Sequence, residues 1–186
     1  MMRNSITRRV SVVAAFALIP AALVAKPNSD ALALEREGVD LIREVEEIAR
    51  DVRSHASRLD QFSRSPLISK PTHAYHLSQI RTLINENLRP VMMRLGEIQP
   101  QLPEWKQQAI DQMIAAARLL AEDATDAIIA KREAKTLPTS MNADYKDLVS
   151  RVHAHAEKLV KTSDAAGNYA AARLKAHSAG VPVAGN

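Results

Sequence analysis

Between Leu34 and Phe62 the chain repeats at alternating steps of four and three, through Leu34, Gly38, Leu41, Val45, Ile48, Val52, His55, Leu59 and Phe62. The intervening positions carry Glu35, Arg43, Glu46, Arg50, Arg58 and further charges. A 3.5-residue repeat held over about four heptads predicts one helix of roughly 45 to 50 Å with a narrow apolar seam. Such a seam requires partner helices lying nearly parallel to it. Asp30 is placed to cap this helix, which should run to about Arg64. Ser65, Pro66, Ser69, Lys70 and Pro71 then break the pattern.

A second stripe follows through Leu77, Ile80, Ile84, Leu88, Val91, Leu95 and Ile98, with Thr72 as the expected cap. Pro90 falls inside it, removes one backbone donor and crowds the carbonyl of Glu86, so a kink is expected there. Pro100 to Pro103 form a short connection, and Pro103 and Glu104 suit the first turn of a third helix. Its seam reads Ile110, Met113, Ala117, Leu120, Ala124 and Ala127, where the alanines allow close approach of a neighbour. Trp105, the lone tryptophan, is placed to cover one end of the core. A fourth pattern starts near Asn142 in two overlapping phases, one through Tyr145, Leu148, Val152, Leu159 and Tyr169, the other through Val149, Ala156, Val160 and Ala170. Gly167 and Asn168 weaken its second half.

Four amphipathic segments of roughly 25 to 35 residues joined by short loops predict an all-α, up-down-up-down antiparallel four-helix bundle. An alternative arrangement has two helical hairpins that find their missing face only in a dimer. The bundle is assigned to residues 26–178. Residues 1–25 read as a signal peptide, with Arg3, Arg8 and Arg9 ahead of the apolar run Val10 to Val24. That run is short for a bilayer span, which needs about 20 residues. Residues 179–186 show no periodicity and are expected to form a disordered tail.

Export changes the charge balance. The chain holds 25 Lys and Arg against 21 Asp and Glu, but three of the bases lie in the export segment, leaving a net charge of +1. A nucleic-acid or anionic-membrane role argued from overall basicity would rest on residues that the mature chain lacks. No later stretch is apolar enough to span a membrane. Cysteine is absent, which excludes disulfides, thiolate metal sites, a lipid-anchoring cysteine and covalent haem. The expected location is periplasmic or secreted.

Histidine supplies the sharpest chemical candidates. His55 occupies a seam position, and His155 occupies one in one phase of the fourth helix at a similar level. Together with Asp51 or Glu157 they could bind a transition metal. The plainer reading makes His55 a buried polar residue bonded across an interface, with His155 turned outward. His73 and His76 share a face, which suits either a surface metal ion or two exposed first-turn residues. No Glu-x-x-His pair of the di-iron kind occurs. Met92, Met93 and Met113 suit packing or copper. Glu122, Asp123 and Asp126 form an acidic patch with Asp123 beside the seam. There is no Gly-x-Ser-x-Gly, phosphate-binding glycine loop or His-Glu-x-x-His, so no catalytic residue is assigned and no cofactor is specified.

The order of His76-Leu77, Ile80, Asn85 to Leu88, the Trp105-x-x-x-Ala109-Ile110-Asp111 stretch and Tyr145 resembles a group of exported, uncharacterised bacterial four-helix proteins over about residues 72 to 175. The resemblance implies the fold and export and carries no site. The expected function is therefore partner binding by an exported bundle, the partner being an envelope protein or a second copy, with metal or small-ligand binding through core histidines as the alternative.

Overall fold

The computed structural model describes residues 29–133 and 142–178, and all regular structure among them is helical. Helix α1 spans Ser29–Ser63 and α2 spans Lys70–Thr82. A π turn over Leu83–Leu88 leads directly into α3, Arg89–Ile98, and a 3-10 turn over Gln99–Gln101 precedes α4, Glu104–Glu133. Helix α5 spans Ala143–Ser178. The backbone stays helical through Thr82, Leu83, Leu88 and Arg89, so α2, the π turn and α3 form one continuous rod. Four rods thus pack around a single core within one chain, which removes the need for a second copy to complete it.

The π turn is the answer to Pro90. A proline cannot give an N–H to the carbonyl four residues back, and its ring collides with that carbonyl. Here the Arg89 N–H bonds instead to the Ile84 carbonyl, five residues back. The turn widens just ahead of the ring and the rod continues.

The buried stripe of α1 is wider than the seam read from sequence. Val45, Ile48, Val52 and Leu59 are buried as expected, but so are Val39, Ile42, Ala49, Ala56 and Ser63. Leu34, Leu41, His55 and Phe62 are only half-buried. A rod in a four-rod bundle touches two neighbours, so about three positions per heptad turn inward rather than two. Helix α5 resolves its two phases in the same way, burying Tyr145 and Val152 from one and Val149, Ala156, Val160 and Ala170 from the other.

The helix ends follow local chemistry. Ser69 rather than Thr72 caps α2: its hydroxyl accepts the Thr72 N–H, and Pro71 sits in the first turn where its missing donor costs nothing. The Pro103 carbonyl accepts from the Lys106 and Gln107 amides at the start of α4. The Asn142 side chain accepts the Tyr145 N–H at the start of α5. Gly38 lets Leu102 lie close against α1, since a Cβ there would sit 3.2 Å from the Leu102 Cδ1. Trp105 packs edge-on against Tyr169 at 4.7 Å between ring centres, with the Arg173 guanidinium over both rings.

The seams are unequal. Helix α5 packs most extensively against α1 and then α4, whereas the seam between the α2–α3 rod and α4 is the sparsest. The signal peptide over residues 1–25, the break at Leu137 to Ser140 and the tail 179–186 lie outside the described residues.

Candidate functional site

The two histidines singled out as a metal pair face different neighbours. His55 on α1 meets His76 on α2, with 3.0 Å between their Nδ1 atoms. His155 on α5 meets Asp123 on α4, its Nε2 lying 3.2 Å from Oδ2. Arg151 takes the other Asp123 oxygen at 3.1 Å and also reaches Asp147. Asp123 is therefore a bridging carboxylate between two rods, not part of a free acidic face. Among the described residues no group of three or more His, Cys, Asp or Glu side chains converges as a metal site would.

His73 and His76 are buried, against the expectation of exposed first-turn positions. Both continue the Leu77 and Ile80 stripe backward by one turn, so α2 carries them into the interface with its leucine and isoleucine. His73 places Nδ1 3.0 Å from the Tyr145 hydroxyl of α5, and its Nε2 has no hydrogen-bond partner among the described residues. Phe62 and Tyr75 flank His76 at 5.4 and 5.2 Å between ring centres.

Burial lowers the basicity of all three rings. For His55 the nearby Arg58 pushes further down while Asp51 opposes it. For His76 burial is joined by His55 and then Arg58. For His73 burial is joined by Lys131 and His76. Each ring is thus held neutral near pH 7, with one N–H and one lone pair. Burial also pushes the Tyr145 phenol upward, keeping its O–H intact.

The sparse seam opens into a groove. Three adjoining cavities share residues along it: Ile84, Asn85 and Ala121 belong to the first two, of about 400 and 440 Å³, and Arg81, Ile128 and Arg132 join the third, of about 190 Å³. The apolar lining comes from Ile84, Leu88, Met92, Ile114 and Ile128, with Met93 60% and Ile129 45% exposed at the mouth. The charged lining is Arg81, Arg89, Arg118, Lys131 and Arg132, with no acid among the residues of these three cavities. Glu122 and Asp126 line a further hollow that adjoins the groove and shares Arg118, Ala121 and Thr125 with it. Burial lowers the Lys131 pKa, and the neighbouring charges of Lys70 and Arg132 act in the same direction.

Compared with family models, with curated proteins and with solved structures, the chain finds no match. Its chemistry is accordingly read from its own geometry.

The sequence pattern places Met113 on a seam and leaves Met92 suited to packing or copper, and it signals the groove and the histidine pair only indirectly. Met113 is fully buried, Met92 half-buried and Met93 exposed. The signal for the groove was present as Pro90 within the second stripe, read there as a bend rather than a widened turn. The signal for the pair was the position of His76, four residues before Ile80.

Proposed function

We propose that this chain is an exported four-helix module that binds a partner protein by receiving an amphipathic, acid-flanked helix in the groove between the α2–α3 rod and α4. The observation that carries the reading is the groove itself, apolar over Ile84, Leu88, Met92 and Ile114, of mixed polarity beyond them, and lined by five cations, with the acids Glu122 and Asp126 confined to the hollow beside it. From Ala74 to Met93 it follows the rod for about 28 Å at 1.5 Å per residue, the length of five turns of a docked helix. Helix-in-groove recognition uses an apolar face at three- and four-residue spacing, and the rim charges select acidic flanks. With the mature chain near neutrality, this local excess of positive charge is a property of the groove and not of the whole surface.

The same proposal includes alternation of the four rods up and down. It is supported by contact pairs that run in opposite senses, such as Gly167 beside Glu46 and Asp164 beside Arg50. Export is supported by the arginines and apolar run of residues 1–25, and a periplasmic or secreted location follows from it. No described helix is long and apolar enough to cross a membrane. Nucleic acid is a poor occupant, because among the described residues no aromatic ring lines the groove to stack bases.

The test is photo-cross-linking in the producing cell from position 93 and from position 129, with position 47 on the outer side of α1 as control. Both groove positions should give one shared adduct whose cross-linked peptide maps to an acid-flanked amphipathic helix. A synthetic copy of that peptide should bind the purified protein and lose affinity to a Met93→Glu, Ile129→Glu variant. Adducts equal at position 47, or none at all, overturn the proposal; an adduct between two copies of this chain replaces it with self-association.

A further inference from the structure

We propose that His55 and His76 form a two-histidine site for a divalent transition-metal ion, with copper(II) favoured over zinc. The two Nδ1 atoms face each other across the α1–α2 interface at 3.0 Å. With metal–nitrogen bonds of 2.0 to 2.1 Å, that separation subtends about 91 to 97° at the ion. It matches the right angle between neighbouring equatorial ligands in tetragonal copper(II) or nickel(II). Tetrahedral zinc needs the nitrogens about 0.3 Å further apart, so the rods would have to open slightly. The separation that the hydrogen bond sets therefore also admits a cis pair without moving the rods, with water completing the coordination.

The surroundings support this. One turn of α1 places Asp51 before His55, and its charge favours a cation at the ring. Arg58 acts in the opposite sense on both rings. Phe62 and Tyr75 pack about His76 and fix its orientation, as a ligand ring must be fixed to bind well. In the metal-free pair the rings share a single Nδ1 proton. Binding moves that proton to the donor's Nε2 through solvent, so both Nδ1 lone pairs face the ion and no net proton leaves a neutral pair. His73 stands apart, with its Nδ1 committed to Tyr145, and His155 is committed to Asp123.

The experiment is titration of the untagged protein with copper(II), followed by calorimetry and by electron paramagnetic resonance. One ion per chain should bind, with hyperfine splitting from two nitrogens. His55→Gln and His76→Gln should each lower affinity at least about 100-fold, the upper end of what losing only an outer partner costs at a metal site. His155→Gln should bind as the unaltered protein does. Copper affinity unchanged by His55→Gln overturns the site, as does a loss that follows His155→Gln instead. His55 is only half-buried, so its variant decides the matter if His76→Gln fails to fold, with circular dichroism reporting the fold of each.

Discussion

The α1–α5 seam and the seam between the α2–α3 rod and α4 are built from the same kinds of residue and close to different degrees. Along α1 and α5, Ala49, Ala56, Ala156, Ala166 and Ala170 are all buried, and they let the two backbones approach with little side chain between them. Across the other seam Ala117 and Ala121 offer the same opportunity from α4, yet both stay half-exposed. The rod opposite is wound wide at Leu83–Leu88 and cannot follow them. Small residues permit close packing, but a neighbour of uniform pitch must be there to take the permission.

If the closed seam carries the stability and the open one is free for binding, substitutions should separate them. The largest effect is expected at Leu159, fully buried on α5. Leu159→Ala should cost about 2–5 kcal/mol in urea unfolding, and a much smaller cost would mean that the closed seam is loosely filled. Next comes Tyr145→Phe, which strips the buried His73 of its hydrogen-bond partner. It should cost about 1–3 kcal/mol, and a neutral result would show that the hydroxyl contributes nothing there.

Acidification should act through the three lowered histidines. Their folded pKa values lie below the unfolded value, so the unfolded chain takes up protons first as pH falls. Their contribution is complete above about pH 6.5 and is lost as the pH falls through the lowered values. The urea midpoint should therefore drop between about pH 7.5 and about pH 5.5, with a shallower slope in His73→Phe than in the unaltered protein. Equal slopes would remove His73 from the explanation. The smallest effect is expected in the groove. Met93→Glu with Ile129→Glu should stay within about 0.5 kcal/mol of the unaltered stability, while affinity for the synthetic peptide described above is lost. A large loss of stability would instead place these residues in the folding core.

Most of the architecture was legible because helical periodicity is a local property. The stripe from Leu77 to Ile98 reads directly as a buried face, as does the seam of α4 except at Ala117, where Ala116 is buried instead, and α1 and α5 begin within a residue or two of the expected caps. Width was less legible: a seam through Leu41 and His55 describes one neighbour, and only the assembled bundle shows that Ile42 and Ala56 serve the second. The site was least legible. His55 was recognised as an interface histidine, but whether it meets α2 or α5 depends on which way α1 is turned, a rotation that the 3.5-residue pattern leaves open by about one position. Asp123 likewise read as a surface charge because its two partners, Arg151 and His155, come from a helix that follows it in the chain.

The widened turn at Leu83–Leu88 also makes one part of this chain tolerant of a change in length. Removing a residue from α5 would swing everything beyond it by about 100°, since 3.6 residues complete a turn, and would carry a whole set of core side chains into water. Removing one residue from the π turn, together with a Pro90→Ala change that takes away the ring the turn accommodates, would tighten it to an ordinary helical turn, with Ile80 before it and Val91 after it still facing the core. Length variation within this rod should therefore collect between Leu83 and Leu88, where the chain already carries the extra residue that such a deletion would take away.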